Sequence, residues 1–147
     1  MAYPEPLIIP MREDLTKYGL VEARTAAELD RAIQGNETVL VVTNSICGCA
    51  AGKARPAVGM ALQHNVTPSA AATVFAGADV ESVARLREHY LPGVPPSSPS
   101  MALFRGGKAV WALHRFEIES RQAPEIARLL VDAFEMHCAG EPAPVRS

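Results

Sequence analysis

The sequence predicts an α/β protein with a central mixed β-sheet flanked by helices, and three observations support that prediction. First, the chain has 147 residues, about one domain, which is enough to bury a hydrophobic core without disulfides or metal ions. Second, short apolar runs typical of buried strands alternate with segments of helical periodicity, which favours parallel strands joined by helices. Third, two further apolar runs flank a pair of glycines, which indicates an antiparallel hairpin and makes the sheet mixed.

In the first third of the chain, helix signals precede one strong strand signal. A helical pattern over 11–18 follows a proline. Thr25 and Glu28 have the spacing of a capping box, in which each side chain satisfies a backbone N–H of the first turn, and Gly35 ends the helix that they begin. The β-branched run T-V-L-V-V-T over 38–43 then predicts a buried strand.

The remainder of the chain continues this alternation and closes with the hairpin and a long helix. Asp79 is placed to cap one helix, and Pro56 lies inside another, where it is expected to produce a kink. In the final helix, apolar residues recur at helical spacing and predict one buried face. The predicted elements in chain order are a helix over 50–63, a strand over 71–75, a helix over 79–90, a proline- and serine-rich loop over 91–99, hairpin strands over 101–104 and 109–113, and a helix over 123–137.

Composition and charge exclude several classes of function. A hydrophobic content of 48% and a charged content of 20% are ordinary for a globular protein. Because 14 basic residues stand against 16 acidic ones, a strongly basic nucleic-acid-binding surface is not expected. The apolar runs are far too short to span a bilayer, and the N-terminus lacks the pattern of a signal peptide. We therefore expect no nucleic-acid or membrane partners.

Two of the three cysteines lie one residue apart, in Cys47-Gly48-Cys49, at the junction of a predicted strand and helix. In a regular helix, residues i and i+2 point about 200° apart, so two thiols inside the helix could not form a disulfide. We therefore place Cys47 in the loop and Cys49 in the first helical turn. Gly48 is expected to supply the unusual backbone dihedrals that closure requires. So tight a ring is expected to be strained and easily reduced.

A thiol at the N-terminus of a helix is favoured as the thiolate, the form that attacks a disulfide, because the helix dipole and free N–H groups lower its pKa. Lys53 and Arg55 follow closely in sequence and would add positive potential. Two alternatives remain open: the cysteines are two inert buried thiols, or they form a soft-metal site with a third ligand. The candidate third ligands are Cys138, His64 and His137.

A proline downstream extends the cysteine pair into a larger pattern. The stretch S-S-P-S-M-A-L-F-R-G-G-K-A-V over 97–110 resembles thioredoxin, in which a cis-proline precedes a strand, a basic residue, a glycine turn and the next strand. The resemblance implies that Pro99 is a cis-proline facing the reactive cysteine. A proline at this place lacks a backbone N–H and fixes the chain so that a substrate strand can pair beside the disulfide. The alternative is an ordinary loop proline.

Nearly the whole chain, over 3–138, resembles the bacilliredoxin family. The most specific motif is the C-G-C core with its flanking N-S and A-A-G, since an isolated C-x-C would carry little information. The motifs that carry the resemblance are Y-x-x-x-x-I-I-P-M-R over 3–12, N-S-I-C-G-C-A-A-G-K-A-R-P-A over 44–57, P-S-S-P-S-M-A-L over 96–103, R-F-E-I-E over 115–119 and A-F-x-x-H-C over 133–138.

This resemblance implies a single thioredoxin-like domain over 1–138 with an N-terminal helical extension, and a thiol–disulfide oxidoreductase of the bacterial cytoplasm. Its partners would be S-thiolated proteins and a low-molecular-weight thiol, with bacillithiol as co-substrate and no resident cofactor or metal. Cys47 would attack the mixed disulfide and take up bacillithiol, and Cys49 would be the resolving or modulating thiol. Disulfide isomerisation or general disulfide reduction is the alternative activity.

Several residues remain with weaker assignments. Asn44 and Ser45 precede the thiols and are expected to support the site by hydrogen-bonding the loop or capping the helix. Thioredoxin keeps a buried acid in the strand before its cysteines, whereas the strand over 38–43 has no carboxylate, so proton transfer must use water or another group. Cys138 is expected to be a semi-buried or exposed thiol without an assigned role. A disordered tail is predicted over 139–147, and the sequence does not define the oligomeric state.

Overall fold

A five-stranded sheet and six α-helices make up the fold of residues 3–139, which are the residues that the computed structural model describes. The strands are β1 (Val21–Glu22), β2 (Thr38–Asn44), β3 (Ala70–Phe75), β4 (Ser100–Arg105) and β5 (Lys108–Leu113). The helices are α1 (Glu5–Thr16), α2 (Ala26–Gln34), α3 (Arg55–Ala61), α4 (Val80–Arg85), α5 (Arg115–Glu119) and α6 (Ala123–Cys138). A π-helical turn (Ala50–Ala54) precedes α3, and another (Leu86–Tyr90) follows α4.

The sheet is mixed, as predicted, with the strand order β1-β3-β2-β4-β5. The central strand β2 runs parallel to β3 and antiparallel to β4, and β4 and β5 form the predicted hairpin. Every residue of β2 is buried, as expected for a strand covered on both faces. In the register of β2 and β4, Thr43 pairs with Ser100, so the end of β2 and the start of β4 lie side by side.

Two hydrophobic cores cover the two faces of the sheet, because successive side chains of a strand point to opposite sides. Leu40 and Val42 of β2 contribute to the core that contains α3 and α6. Val39 and Val41 contribute to the other core, which contains α2 and α4. The predicted apolar face of α6 is buried in the first of these cores. The carboxyl end of β2 therefore leaves the sheet between two packed helical layers.

The first helix was predicted over 11–18, and that prediction was wrong: α1 begins at Glu5 and contains Pro10. Pro6 is the second residue of the helix, where an N–H has no intrahelical partner to lose. Pro10 does remove one such hydrogen bond, but Ile8, Arg12 and Leu15 fall on one face and are all buried. Tertiary packing of that face sustains the helix through the proline.

A buried ion pair holds α1 against the sheet. The Arg12 guanidinium is 4% exposed and donates hydrogen bonds of 2.9 and 2.7 Å to the Asp79 carboxylate. Asp79 was predicted to cap α4, but its side chain makes no capping bond there. Its carboxylate instead also accepts the N–H of Phe75, at 3.0 Å. The charge of Arg12 explains the difference, because a buried guanidinium requires a carboxylate partner more strongly than a helix terminus does.

Three further differences from the predicted elements concern short or irregular segments. The predicted helix over 50–63 is a π-helical turn followed by α3, with the N–H of Arg55 donating to the carbonyl of Ala50. Pro56 lies directly after the π-helical turn, inside the helical segment that begins after Cys47, as the sequence predicts. The two-residue strand β1 and the five-residue helix α5 were not predicted.

Within residues 3–139, no helix is long and apolar enough to cross a membrane. Apart from Ala139, the predicted tail lies outside the described residues.

Candidate active site

Cys47 lies where the chain turns from β2 into the helical segment, at the place that the sequence predicts. Its carbonyl oxygen accepts the N–H groups of Ala50 and Ala51, at 2.9 and 3.2 Å, so Cys47 is the residue that caps the N-terminus of the segment. Cys49 lies in the first turn. Both thiols are half-buried, so each can be reached from solvent without any unfolding of the core.

The backbone N–H of Cys49 donates a hydrogen bond to the sulfur of Cys47, with 3.4 Å between N and Sγ. This bond is the main reason why the pKa of Cys47 lies below its ordinary value, because it favours the thiolate; the Cys49 side chain, Arg115 and the N–H of Ala50 add to the effect, and burial opposes it. The pKa of Cys49 is raised, chiefly by burial and then by the Cys47 sulfur and Glu119. The two thiols are thus unequal, and Cys47 is the better nucleophile at neutral pH.

Asn44 and Ser45 shape the loop that presents Cys47. The side-chain amide of Asn44, which is 1% exposed, donates to the carbonyl of Met11 in α1 at 2.9 Å, and its oxygen accepts the N–H of Ser45 at 2.8 Å. The Ser45 hydroxyl oxygen in turn accepts the N–H of Cys47 at 3.1 Å. These bonds connect α1 to Cys47 through two buried polar residues. The structure therefore places both in the hydrogen-bonding role that the sequence suggests for them.

Pro99 has the predicted cis peptide bond, which joins it to Ser98. It immediately precedes Ser100, and the pairing of Ser100 with Thr43 sets the start of β4 beside the end of β2. The Ser100 hydroxyl donates to the carbonyl of Ser97 at 2.8 Å and closes the turn around the proline. We call residues 97–99 the cis-proline loop.

Gly48 has helical backbone geometry in this structure, in which both thiols are free. Among the described residues, five glycines have positive φ, and Gly48 is not one of them. It is exposed in the first helical turn, and a Cβ atom placed on it would meet no other atom within 4 Å. In this reduced state the turn therefore needs no special backbone conformation at Gly48. The predicted contribution of Gly48 concerns the closed disulfide and stays a prediction.

The predicted sources of positive potential, Lys53 and Arg55, are directed elsewhere. The Lys53 ammonium donates to the carbonyl of Glu119 at 2.6 Å. Arg55 is 4% exposed, and its Nε lies 3.5 Å from the Asp14 carboxylate. The cation that acts on both thiols is Arg115. Arg115 carries no signal in the sequence for this role beyond its place in the R-F-E-I-E motif.

The third ligand that the metal alternative requires is not brought to the thiols in the described part of the chain. His64 pairs with Glu135, at 2.9 Å. Cys138 is 3% exposed in the core beside α3, so the prediction of a semi-buried or exposed thiol was wrong. Over residues 3–139, no group of three or more His, Cys, Asp or Glu side chains is placed to hold a metal ion.

Solved thioredoxins share this fold. A mutant thioredoxin from Halobacterium salinarum superimposes with a TM-score of 0.57 at 20% sequence identity, covering 85% of this chain and 96% of that one. The oxidised thioredoxin from Plasmodium falciparum superimposes with a TM-score of 0.59 at 17% identity, covering 79% of this chain and 99% of that one. The likeness establishes a thioredoxin-like α/β fold.

This fold, with two unequal thiols at a helix N-terminus, defines a thiol–disulfide oxidoreductase. A family model described as disulphide isomerase matches residues 3–138. A bacilliredoxin from Salinibacter ruber is 46% identical over 98% of this chain and 85% of that protein. A bacilliredoxin from Koribacter versatilis is 48% identical over 92% of this chain and 94% of that protein. A bacilliredoxin from Bacillus licheniformis is 46% identical over 92% of this chain and 95% of that protein. The chain belongs to the bacilliredoxin family.

Proposed function

We propose that the protein reduces mixed disulfides between protein cysteines and bacillithiol, with Cys47 as the nucleophile. The observation that carries the proposal is the hydrogen bond from the Cys49 N–H to the Cys47 sulfur, because it favours the thiolate on a solvent-accessible thiol. The partners are S-bacillithiolated proteins, and bacillithiol is the low-molecular-weight thiol that Cys47 takes up and then releases. No resident cofactor is needed for thiol–disulfide exchange. The proposed compartment is the cytoplasm, where thiols are kept reduced.

In the first step, the Cys47 thiolate attacks the bacillithiol sulfur of the mixed disulfide. The bond between that sulfur and the target cysteine breaks, the target leaves as a thiolate, and Cys47 becomes bonded to bacillithiol. In the second step, Cys49 loses its proton to solvent and attacks the Cys47 sulfur. Bacillithiol leaves as a thiolate, and a disulfide joins Cys47 to Cys49. The two electrons gained by the substrate disulfide come from the two cysteines, and a dithiol reductant must return them.

The raised pKa of Cys49 fits the second of these roles. A protonated Cys49 does not compete with Cys47 for the incoming disulfide. It becomes reactive only when it loses its proton. The strand β2 supplies no carboxylate for that proton, since its last residues are Thr43 and Asn44. Solvent reaches the half-buried Cys49 and is the proposed acceptor.

The test uses a protein thiolated with bacillithiol and the same protein thiolated with glutathione. Wild-type protein is expected to release bacillithiol, Cys47→Ser to release none, and Cys49→Ser to accumulate a bacillithiol adduct on Cys47 that is visible by mass spectrometry. Cys138→Ala is the control that removes a thiol without touching the pair. Release of bacillithiol by Cys47→Ser would overturn the proposal. Equal rates with both thiolated proteins would remove the selectivity for bacillithiol and leave general disulfide reduction.

Disulfide isomerisation is the second candidate, because the matching family model is described as disulphide isomerase. In that reaction Cys47 attacks a disulfide within a protein, and a thiol of the same protein later displaces Cys47, with no net change in electrons. Refolding of a scrambled multi-disulfide protein distinguishes the activities. An isomerase restores its native pairing without a reductant in excess, whereas a protein that acts only on mixed disulfides leaves the scrambled protein unchanged.

A further inference from the structure

The short helix α5 contacts both halves of the candidate active site. At its start, the backbone N–H of Arg115 donates to the Ser97 hydroxyl oxygen at 3.2 Å, and the Arg115 guanidinium donates to the Ser98 carbonyl at 3.3 Å. Ser98 is the residue joined to Pro99 by the cis bond. At the end of α5, the carbonyl of Glu119 accepts the Lys53 ammonium, which comes from the helical segment that begins at the thiols. The helix therefore bridges the cis-proline loop and the thiol-bearing segment.

The same helix supplies the charges that act on the two sulfurs. Arg115 and Glu119 form an ion pair one helical turn apart, and both side chains are about half exposed, at 45% and 47%. The positive charge of Arg115 lowers the pKa of both thiols, and the negative charge of Glu119 raises the pKa of Cys49. The pKa of Arg115 is raised, chiefly by its hydrogen bond to Glu119 and to a smaller extent by the two sulfurs.

We propose that the Arg115–Glu119 pair is the positioning element of this site. Arg115 holds the cis-proline loop beside the thiols and brings a positive charge to this side of the site, and Glu119 holds the Arg115 guanidinium in that position. The assignment of attacking and resolving thiol rests on the function proposed above. The contacts of α5 and the charges that it carries do not depend on which disulfide is the substrate.

The charges of Arg115 and Glu119 are expected to affect the reactivity of the thiols more than the stability of the fold. An exposed ion pair one turn apart on a helix contributes little to folding, because solvent screens it and two long side chains must be ordered. The pKa of a thiol changes directly with nearby charges, because the local electrostatic potential favours or disfavours the thiolate. The substitution of Arg115 is therefore expected to change thiol reactivity more clearly than it changes the unfolding midpoint.

The test measures alkylation of each thiol by iodoacetamide as a function of pH, followed by peptide mapping. In a Cys49→Ser background, Arg115→Gln is expected to move the Cys47 midpoint to higher pH and to slow its alkylation at neutral pH by roughly two- to fivefold. Arg115→Lys keeps the charge and is expected to restore most of that rate. In a Cys47→Ser background, Glu119→Gln is expected to move the Cys49 midpoint to lower pH.

Arg128→Gln and Asp132→Asn are the matched controls, because these residues form an ion pair of the same spacing on α6. They are expected to leave both midpoints unchanged. The proposal would be overturned if the alkylation midpoints of Arg115→Gln and Glu119→Gln equalled those of the controls. It would also be overturned if the thiol of the Arg115→Lys protein were alkylated as slowly as that of Arg115→Gln. Because alkylation needs no disulfide substrate, this result is separate from the bacillithiol assay: either proposal can fail while the other stands.

Discussion

The sulfur of Cys47 accepts a hydrogen bond from the backbone N–H of Cys49, with 3.4 Å between the two atoms. The donor belongs to the main chain, so the bond does not depend on which side chain stands at position 49. It forms because Cys47 caps the helical segment, whose first N–H groups have no partner within the helix. The local C-G-C spacing thus activates one cysteine through the backbone of the other.

Removal of that N–H is expected to raise the pKa of Cys47. Cys49 has φ of −64°, which proline can adopt, so Cys49→Pro removes the donor at a backbone angle that proline tolerates. Cys49→Ala keeps the donor and is the matched control. Because the N–H favours the charged form of its acceptor, the Cys47 midpoint is expected to lie at higher pH in Cys49→Pro than in Cys49→Ala. Ultraviolet absorbance of the thiolate across a pH titration measures it, and coincident titrations of the two variants would contradict the assigned cause.

Asn44→Ala is expected to lower stability and loosen the loop that presents Cys47. The change deprives the Met11 carbonyl and the Ser45 N–H of a buried partner. The expected loss is about 1–3 kcal/mol in the free energy of unfolding, measured in urea. Asn36→Ala is the control, since Asn36 donates one bond at the half-buried end of α2 and its loss is expected to cost about 1 kcal/mol or less. If both variants lost the same free energy of unfolding, the burial of Asn44 would not add to the strength of its hydrogen bonds.

Two glycines of the helical segment that begins after Cys47 are expected to respond oppositely to alanine. At Gly48 a Cβ meets no atom within 4 Å, so Gly48→Ala is expected to preserve the fold or to stabilise it by about 0.5–1 kcal/mol. At Gly59 a Cβ would lie 2.3 Å from the Tyr18 ring, so Gly59→Ala must displace that ring and is expected to cost about 1–3 kcal/mol. Thermal unfolding measures both changes. The Gly59→Ala cost should shrink when Tyr18 is also alanine, and an undiminished cost would exclude the ring as its source.

The Arg12–Asp79 pair is expected to be essential for stability. Both side chains are nearly fully buried, so Asp79→Ala leaves a buried guanidinium with only its partly exposed partners Glu5 and Glu22. The removal of one partner of a buried pair costs about 3–5 kcal/mol. Asp132→Ala, which breaks the exposed pair with Arg128, is expected to cost less than about 1 kcal/mol. Urea unfolding compares the two, and a similar midpoint for both variants would contradict the special role of the buried pair.

Much of the fold could be predicted because its strongest signals are local. The β-branched run of β2, the glycine pair of the hairpin and the periodic face of α6 each lie within one element, and all three are present in the structure. The prediction failed at α1, where packing of Ile8, Arg12 and Leu15 overrides Pro10. It also missed β1, because two residues are too few to show a strand period.

The sequence by itself placed the cysteine pair at the start of a helix, because Cys47 and Cys49 closely follow the β-branched run of β2, and its likeness to thioredoxin indicated the cis bond before Pro99. Only the tertiary structure decided which charges act on them. The bond between Lys53 and Glu119 joins residues 66 positions apart, and Lys53 faces α5 although it lies close to the thiols in sequence. Side-chain potential falls off with distance in space, and the packing of α5 against the cis-proline loop sets that distance for Arg115.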